Sequence, residues 1–278
     1  MTAGRLAPNL LAWSIPLLLV LLPLSSFLVI SFWRVENNAL VPDFTLANYA
    51  EFVRNEIYPR VLQGTLLLAT QVMLACLLIG YPVALFLWRR QGTVRWTLLL
   101  ATALPLFLSY IIKIYAIRSL LGPSGFVNQA LIAVRLLDRP STALLFNQRA
   151  VLITMVLVYL PFAILPIFLS LERVPRGLLA ASADLGASGW QTFKLVVFPL
   201  SLPGTIVGGL FAFVLAMGDF VTPQMVGGTT GFTYGRVVQS QFGMAFNWPF
   251  GAALAVVLLA GALLVIALAG WVQGRSRV

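Results

Sequence analysis

Few side chains in this sequence can do chemistry, and the ones that can are set in apolar surroundings. Asp219 stands in Ala216-Met217-Gly218-Asp219-Phe220, with no lysine or arginine one helical turn away. An ionised carboxylate at a helix centre in lipid costs about 2.5 to 3.5 kcal/mol on insertion scales, and less near the interface. Such a group must face water, a partner or a cargo; the plainer alternative is an acid hydrated from the outer surface. Lys113 stands in Ser109-Tyr110-Ile111-Ile112-Lys113-Ile114-Tyr115, with Arg118 a turn and a half later. Helical spacing sets Lys113 one turn from Ser109 and close to Tyr110. Two roles fit it: part of a polar stripe along a passage, or a structural cation holding a neighbouring helix end. This is chemistry that handles ions rather than breaking bonds. The chain has no histidine and one cysteine, Cys76, which removes zinc and triad chemistry and any intrachain disulfide. No cofactor is implied, and no G-x-x-x-x-G-K-[ST] loop is present, so ATP used through that machinery must be used by another chain.

The elements that position these residues are membrane helices. Of the 278 residues 60% are hydrophobic and 9% charged, which takes the chain out of the soluble class. A crossing helix needs about 20 mostly apolar residues. Six stretches qualify, at about 10–33, 61–88, 96–121, 150–171, 204–222 and 250–272. Barrel-type alternation is absent, so the fold class is an all-α membrane protein of six transmembrane helices in a single domain, 1–278. The first stretch is too long for a signal core and lacks a small-x-small cleavage site, so it is expected to stay as a span. The net charge of +10 is scattered over loops and forms no stripe with interleaved aromatics, which argues against nucleic acid and for contact with membrane lipid.

With both termini in the cytosol, Arg89, Arg90 and Arg95 fall in a short inner loop, Arg173, Arg176 and Lys194 in a second, and Arg275 and Arg277 in an inner tail. The outer loops are longer and suit a partner arriving from outside. Prolines 16, 23, 82, 105, 161 and 166 lie inside spans and predict kinked, packed helices. Gly204 and Gly208, continued by Gly209, allow close helix approach, within the subunit or between subunits.

Between the fourth and fifth stretches lies a mildly polar loop, 172–203. Pro175 suits a first helical turn, Ala180, Ala181, Ser182 and Ala183 are small, Gly186 suits a C-terminal cap, and Ser188 with Gln191 resembles a capping box. The spacing predicts helix, turn, helix. Such a segment is either a docking element whose backbone another protein's groove can approach, or a plain interfacial joint.

These features together resemble the permease subunit of an ABC importer of the type with a helical coupling loop, in its spermidine/putrescine branch. That family's cytosolic motif reads E-A-A, three variable residues, Gly, nine variable residues, then I-x-L-P. Here the frame falls on Ala180, Ala181, Ser182, Gly186, Val196, Phe198 and Pro199; the spacing matches, while Ala180 replaces the glutamate and Ser182 and Phe198 also depart. Residues 109–118, 125–128, 159–162, 218–223 and 247–252 are similar to the branch as well, with Lys113 where an arginine is commoner. The resemblance implies a type I importer in the bacterial inner membrane, with two ABC ATPase subunits, a second permease subunit and an external solute-binding protein. Arg176, Ala180, Ala181, Ser182, Asp184, Leu185, Gly186 and Ser188 would dock on the ATPase, and the chain would be a transport subunit rather than an enzyme. Asp219, Tyr110, Lys113, Tyr115 and Phe220 would line the path. A polyamine cargo suits Asp219 and its aromatic neighbours through charge and cation-π attraction, while Lys113 opposes it. Opines, amino-acid-like solutes, thiamine and ferric iron are the alternative cargoes, and an ATP-independent secondary transporter is the rival class.

Overall fold

Lipid offers a backbone no hydrogen-bond partners, so the apolar stretches satisfy themselves as helices. The computed structural model describes residues 3–37 and 39–275, with side-chain surroundings for 17–37 and 39–271. In chain order the helices are α1 (Ala3–Ile30), α2 (Ala47–Arg54), α3 (Ile57–Arg89), α4 (Gly92–Phe107), α5 (Tyr110–Leu121), α6 (Phe126–Ala133), α7 (Gln148–Glu172), α8 (Arg176–Asp184), α9 (Gly189–Thr192), α10 (Phe198–Gly218), α11 (Val221–Val226), α12 (Tyr234–Gly243) and α13 (Trp248–Arg275). A short hairpin pairs β1 (Arg34–Glu36) antiparallel with β2 (Ala39–Val41), Arg34 opposite Val41.

Four of the described helices are long and apolar enough to cross a membrane unbroken: Ile57–Arg89, Gln148–Glu172, Gly189–Gly218 and Trp248–Trp271. Two expectations need correction. The stretch 96–121 is not one helix: Gly92–Phe107 and Tyr110–Ala133 are bent by 104°. Pro105 lacks a backbone donor, and the next residues to leave the helix, Leu108 and Ser109, are extended, with ψ of 144° and 136°. The fifth span is shifted as well. It starts upstream, α9 running through a π-helical turn at Phe193–Val197 into α10, and it stops at Gly218 rather than at 222. Within the expected first span, 10–33, the apolar helix with described side chains is Leu17–Ile30, and side chains 10–16 lie outside the described residues. So do the side chains of Arg275 and Arg277, the inner tail of the expected orientation.

The chain divides into two units. One holds the described residues up to Arg60 together with Val237–Gly261. In it the Asn48 side chain donates to the carbonyls of Ser31 and Trp33, both at 2.8 Å, and Phe27 meets Phe242 edge-on at 5.8 Å. These contacts tie the end of α1 to α2 and α12.

The other unit, Val61–Arg236 with the described residues from Ala262, carries both candidate sites. Its centre is α7, where Thr154, Met155, Ala163, Ile167 and Leu171 are fully buried. Helix α10 packs closely on α7 because glycines face it. A Cβ on Gly204 would stand 2.4 Å from the Pro166 carbonyl oxygen, and one on Gly208 would stand 2.7 Å from that of Ala163. The small-residue stripe is thus an intrachain seam. Backbone cannot retreat as a side chain can, so Gly208→Val is expected to cost about 1–3 kcal/mol of packing energy. Gly261, where an added Cβ would have nothing within 4 Å, serves as the control: Gly261→Val should leave the melting midpoint of the detergent-solubilised protein unchanged while Gly208→Val lowers it.

Candidate translocation and coupling sites

The break after α4 and the end of α10 bring polar groups together within the apolar interior. Asp219 ends α10 in an extended conformation and opens the short helix α11. Its Oδ1 accepts from the backbone N–H groups of Val221, at 3.0 Å, and Thr222, at 3.1 Å. This is the capping geometry that aspartate favours at a helix start. Its Oδ2 accepts from the hydroxyls of Tyr110, at 2.5 Å, and Tyr159, at 2.9 Å. Tyr110 Oη also lies 2.8 Å from the hydroxyl of Tyr159 and 2.8 Å from that of Thr222, and the two tyrosine rings stack with centroids 6.4 Å apart.

The carboxylate therefore has four donors, and Asp219 is only 7% exposed. The protein's own hydroxyls and amides supply its solvation. A buried carboxylate held this way is tolerated because every lone-pair direction has a donor.

Beside this cluster lies a cavity of about 530 Å³ whose wall includes Tyr110, Lys113, Tyr159, Phe162, Asp219 and Phe220. Lys113 places its Nζ 5.7 Å from the centre of the Tyr110 ring, a cation-π distance, and forms no ion pair with Asp219 among the described residues. Four of the five expected pathway residues thus share one cavity: Asp219, Tyr110, Lys113 and Phe220. Tyr115 does not belong with them. It is 55% exposed and lines a separate cavity of about 350 Å³ with Arg118 and Phe146. The reason is helical phase: Lys113 and Tyr115 are two residues apart on α5 and point to different faces. Tyr159 and Thr222 were missed as members of the cluster. Both stand in fragments already singled out by resemblance, but their role depends on a meeting of α5, α7 and α11 that spacing along one helix does not reveal.

At the far end of α10 the loop folds as its spacing predicts. Helix α8 closes with Gly186 at φ 77°, the left-handed region, where the Gly186 N–H donates to Ala183 at 2.9 Å and the Ala187 N–H to Ser182 at 3.0 Å. That pair of bonds is a Schellman cap. Ser188 and Gln191 form a capping box, with Ser188 N–H donating to Gln191 Oε1 at 2.7 Å and Gln191 N–H to Ser188 Oγ at 3.3 Å. Ser182 Oγ, 3.0 Å from Thr192 Oγ1, joins the two short helices across the turn. One detail differs: Pro175 is the residue before α8, not inside its first turn. Arg176, Ala180, Ala181, Asp184, Leu185, Gly186 and Ser188 are exposed, and Ser182 is half-buried against the turn. Leu185 at 88% and Trp190 at 70% exposed stand out as apolar side chains with little cover.

The family model described as "Binding-protein-dependent transport system inner membrane component" matches residues 76–278. The chain belongs to that family. It is an inner-membrane, multi-pass component of a transport system that depends on a binding protein, and so a transport subunit rather than an enzyme.

The chain is 37% identical over 215 residues to the spermidine/putrescine transport system permease protein PotB of Escherichia coli (strain K12), covering 77% of this chain and 78% of that protein. It is 35% identical over 240 residues to the PotB of Haemophilus influenzae, covering 86% and 83%. In fold it is similar to a chain in the crystal structure of a bacterial ABC transporter involved in the import of the acidic polysaccharide alginate, with a TM-score of 0.76 over 98% of this chain and 96% of that one, at 17% identity. The architecture of this family member is thus that of an ABC importer permease.

Proposed function

We propose that this chain is the membrane-spanning permease subunit of an ATP-driven importer that takes a polyamine such as spermidine or putrescine from an external binding protein. The observation that carries the cargo is the identity to PotB over most of the chain. The cavity supports it: one carboxylate flanked by aromatic rings suits an alkylammonium group through charge and cation-π attraction. Asp219 has its four donors in place, so an arriving ammonium replaces the Tyr110 and Tyr159 hydroxyls at Oδ2 while the Val221 and Thr222 amides hold Oδ1. Lys113 lines the same cavity and opposes a cation there, its Nζ held 5.7 Å from the centre of the Tyr110 ring.

The exposed face of α8, with Ala180, Ala181, Asp184 and Leu185, is the docking surface for ABC ATPase subunits, and a second permease subunit completes the path. The termini face the cytosol. In place of the glutamate usual at position 180, docking rests on backbone shape, Asp184, and the flanking Arg176 and Lys194. ATP hydrolysis belongs to the partner, whose closure shifts a membrane domain with two discrete arrangements.

Reconstitution tests this directly. Proteoliposomes holding the chain with its ATPase and second permease, supplied with binding protein, should accumulate labelled spermidine only when ATP is supplied to the ATPase side. Accumulation that persists without ATP under an ion gradient would overturn the importer assignment. Accumulation of a neutral solute in preference to spermidine would overturn the cargo alone.

A further inference from the structure

Another cavity, of about 690 Å³, lies away from Asp219, where α3 and α7 end and α4 begins beside α8. Its wall carries Arg89, Arg95 and Arg176 against a single acid, Glu172. Arg95 is spent on Glu172, with which it forms an ion pair, and its guanidinium lies 5.1 Å from the Phe168 ring centre and 5.5 Å from that of Trp96. Arg95 Nε is buried without a hydrogen-bond partner. Arg89 and Arg176 form no ion pair among the described residues. Two positive charges therefore remain uncompensated on one concave wall. Gln91 and Pro175, the residues before α4 and α8, provide no side-chain cap for those helices, which adds the positive ends of two helix dipoles. The rest of the wall is mixed, with Gln91 and Thr192 among apolar side chains that include Leu85, Trp88, Val174 and Val197.

We infer that this cavity binds the phosphate headgroup of an anionic phospholipid. A free anion would need only the arginines. The site instead combines arginines with apolar side chains and a tryptophan at the ends of membrane-crossing helices, the arrangement in which basic pockets between such helices take acidic headgroups. The phosphate lies between Arg89 and Arg176, and Leu85 and Trp88 flank the start of the acyl chains. Because Arg176 opens α8, lipid occupancy ties the exposed segment to the membrane surface. This holds whatever the cargo.

Native mass spectrometry of the full-length chain, delipidated in detergent and titrated with phosphatidylglycerol or phosphatidylcholine, tests the site. Phosphatidylglycerol should bind more tightly, and Arg89→Gln or Arg176→Gln should each weaken it about fivefold, the effect of about 1 kcal/mol per basic residue at an anionic surface. Arg89→Lys keeps the charge and should restore binding, which separates loss of charge from loss of fold. Arg118→Gln, at the other cavity, should leave binding unchanged. Equal binding of the two lipids, or equal losses from Arg118→Gln and Arg89→Gln, overturns the inference. So does displacement of phosphatidylglycerol by millimolar inorganic phosphate, which would assign the site to a free anion.

Discussion

Asp219→Asn is expected to leave the protein folded and to remove most of its polyamine uptake. Asparagine keeps the shape of aspartate and one carbonyl oxygen, so the Val221 and Thr222 amides, at 3.0 and 3.1 Å from Oδ1, retain their acceptor. The Tyr110 hydroxyl lies 2.8 Å from both Tyr159 Oη and Thr222 Oγ1, and can turn to either. What disappears is the charge that draws an ammonium group. A charge-assisted hydrogen bond contributes about 1.5–3 kcal/mol, which corresponds to roughly tenfold to hundredfold in binding. Asp219→Ala should behave differently, because it strands two buried amides and two hydroxyls at about 1–3 kcal/mol for each group left unpaired. The paired measurement is thermal melting alongside spermidine uptake in proteoliposomes. An asparagine variant with normal melting and normal uptake would remove Asp219 from the path. One that melts as early as the alanine variant would make Asp219 a structural residue.

Gly186→Pro should separate ATP hydrolysis from transport. Gly186 sits at φ 77°, whereas proline is fixed near −65°, and proline also lacks the N–H that donates to Ala183. Space is not the obstacle, because nothing lies within 4 Å of a Cβ at this position. The conformation is. Gly186→Ala then costs only the left-handed penalty, about 1–2 kcal/mol, and should lower uptake partially. Gly186→Pro costs about 3 kcal/mol or more, enough to unmake the turn between α8 and α9 and to remove most uptake. The reconstituted complex should still hydrolyse ATP, because local opening of the turn releases the strain and leaves the α7–α10 seam in place. Full uptake by the proline variant would show that the turn does not transmit motion.

The sequence made some of this legible and hid the rest for physical reasons. The caps at Gly186, Ser188 and Gln191 are local: each bond spans three to five residues, so residue type and spacing are enough to read them. Membrane helices were equally readable, because lipid leaves an apolar stretch no alternative. The bend at Leu108 and Ser109 was not, since Pro105 resembles the other prolines inside spans, and Pro82, Pro161 and Pro166 leave their helices continuous. Whether a proline kinks or breaks a helix depends on what repairs it from outside. Likewise Asp219 looked unpaired because its partners are remote: Tyr110 is 109 residues away and Tyr159 is 60. Tyr115, grouped with Asp219 as an aromatic neighbour for a cation, lines a different cavity because two residues along α5 turn it to another face.

The unbroken helix Gly189–Gly218 has one further consequence. Thirty residues at 1.5 Å each make it about 45 Å long. Exposed Trp190 stands at its beginning, and Asp219 is the first residue past its end. The α8 surface proposed to meet the ATPase joins one end of this helix through the Gly186 turn, and the acid proposed to meet the cargo follows the other end; between them lie a π-helical turn at Phe193–Val197 and prolines at 199 and 203. Tyr110 and Tyr159 belong to α5 and α7, not to this helix. On the proposed docking, a push on α8 would reach the Asp219 carboxylate through one helix, and would have to move α10 together with α7, on which its glycines are seated, against Tyr110 on α5.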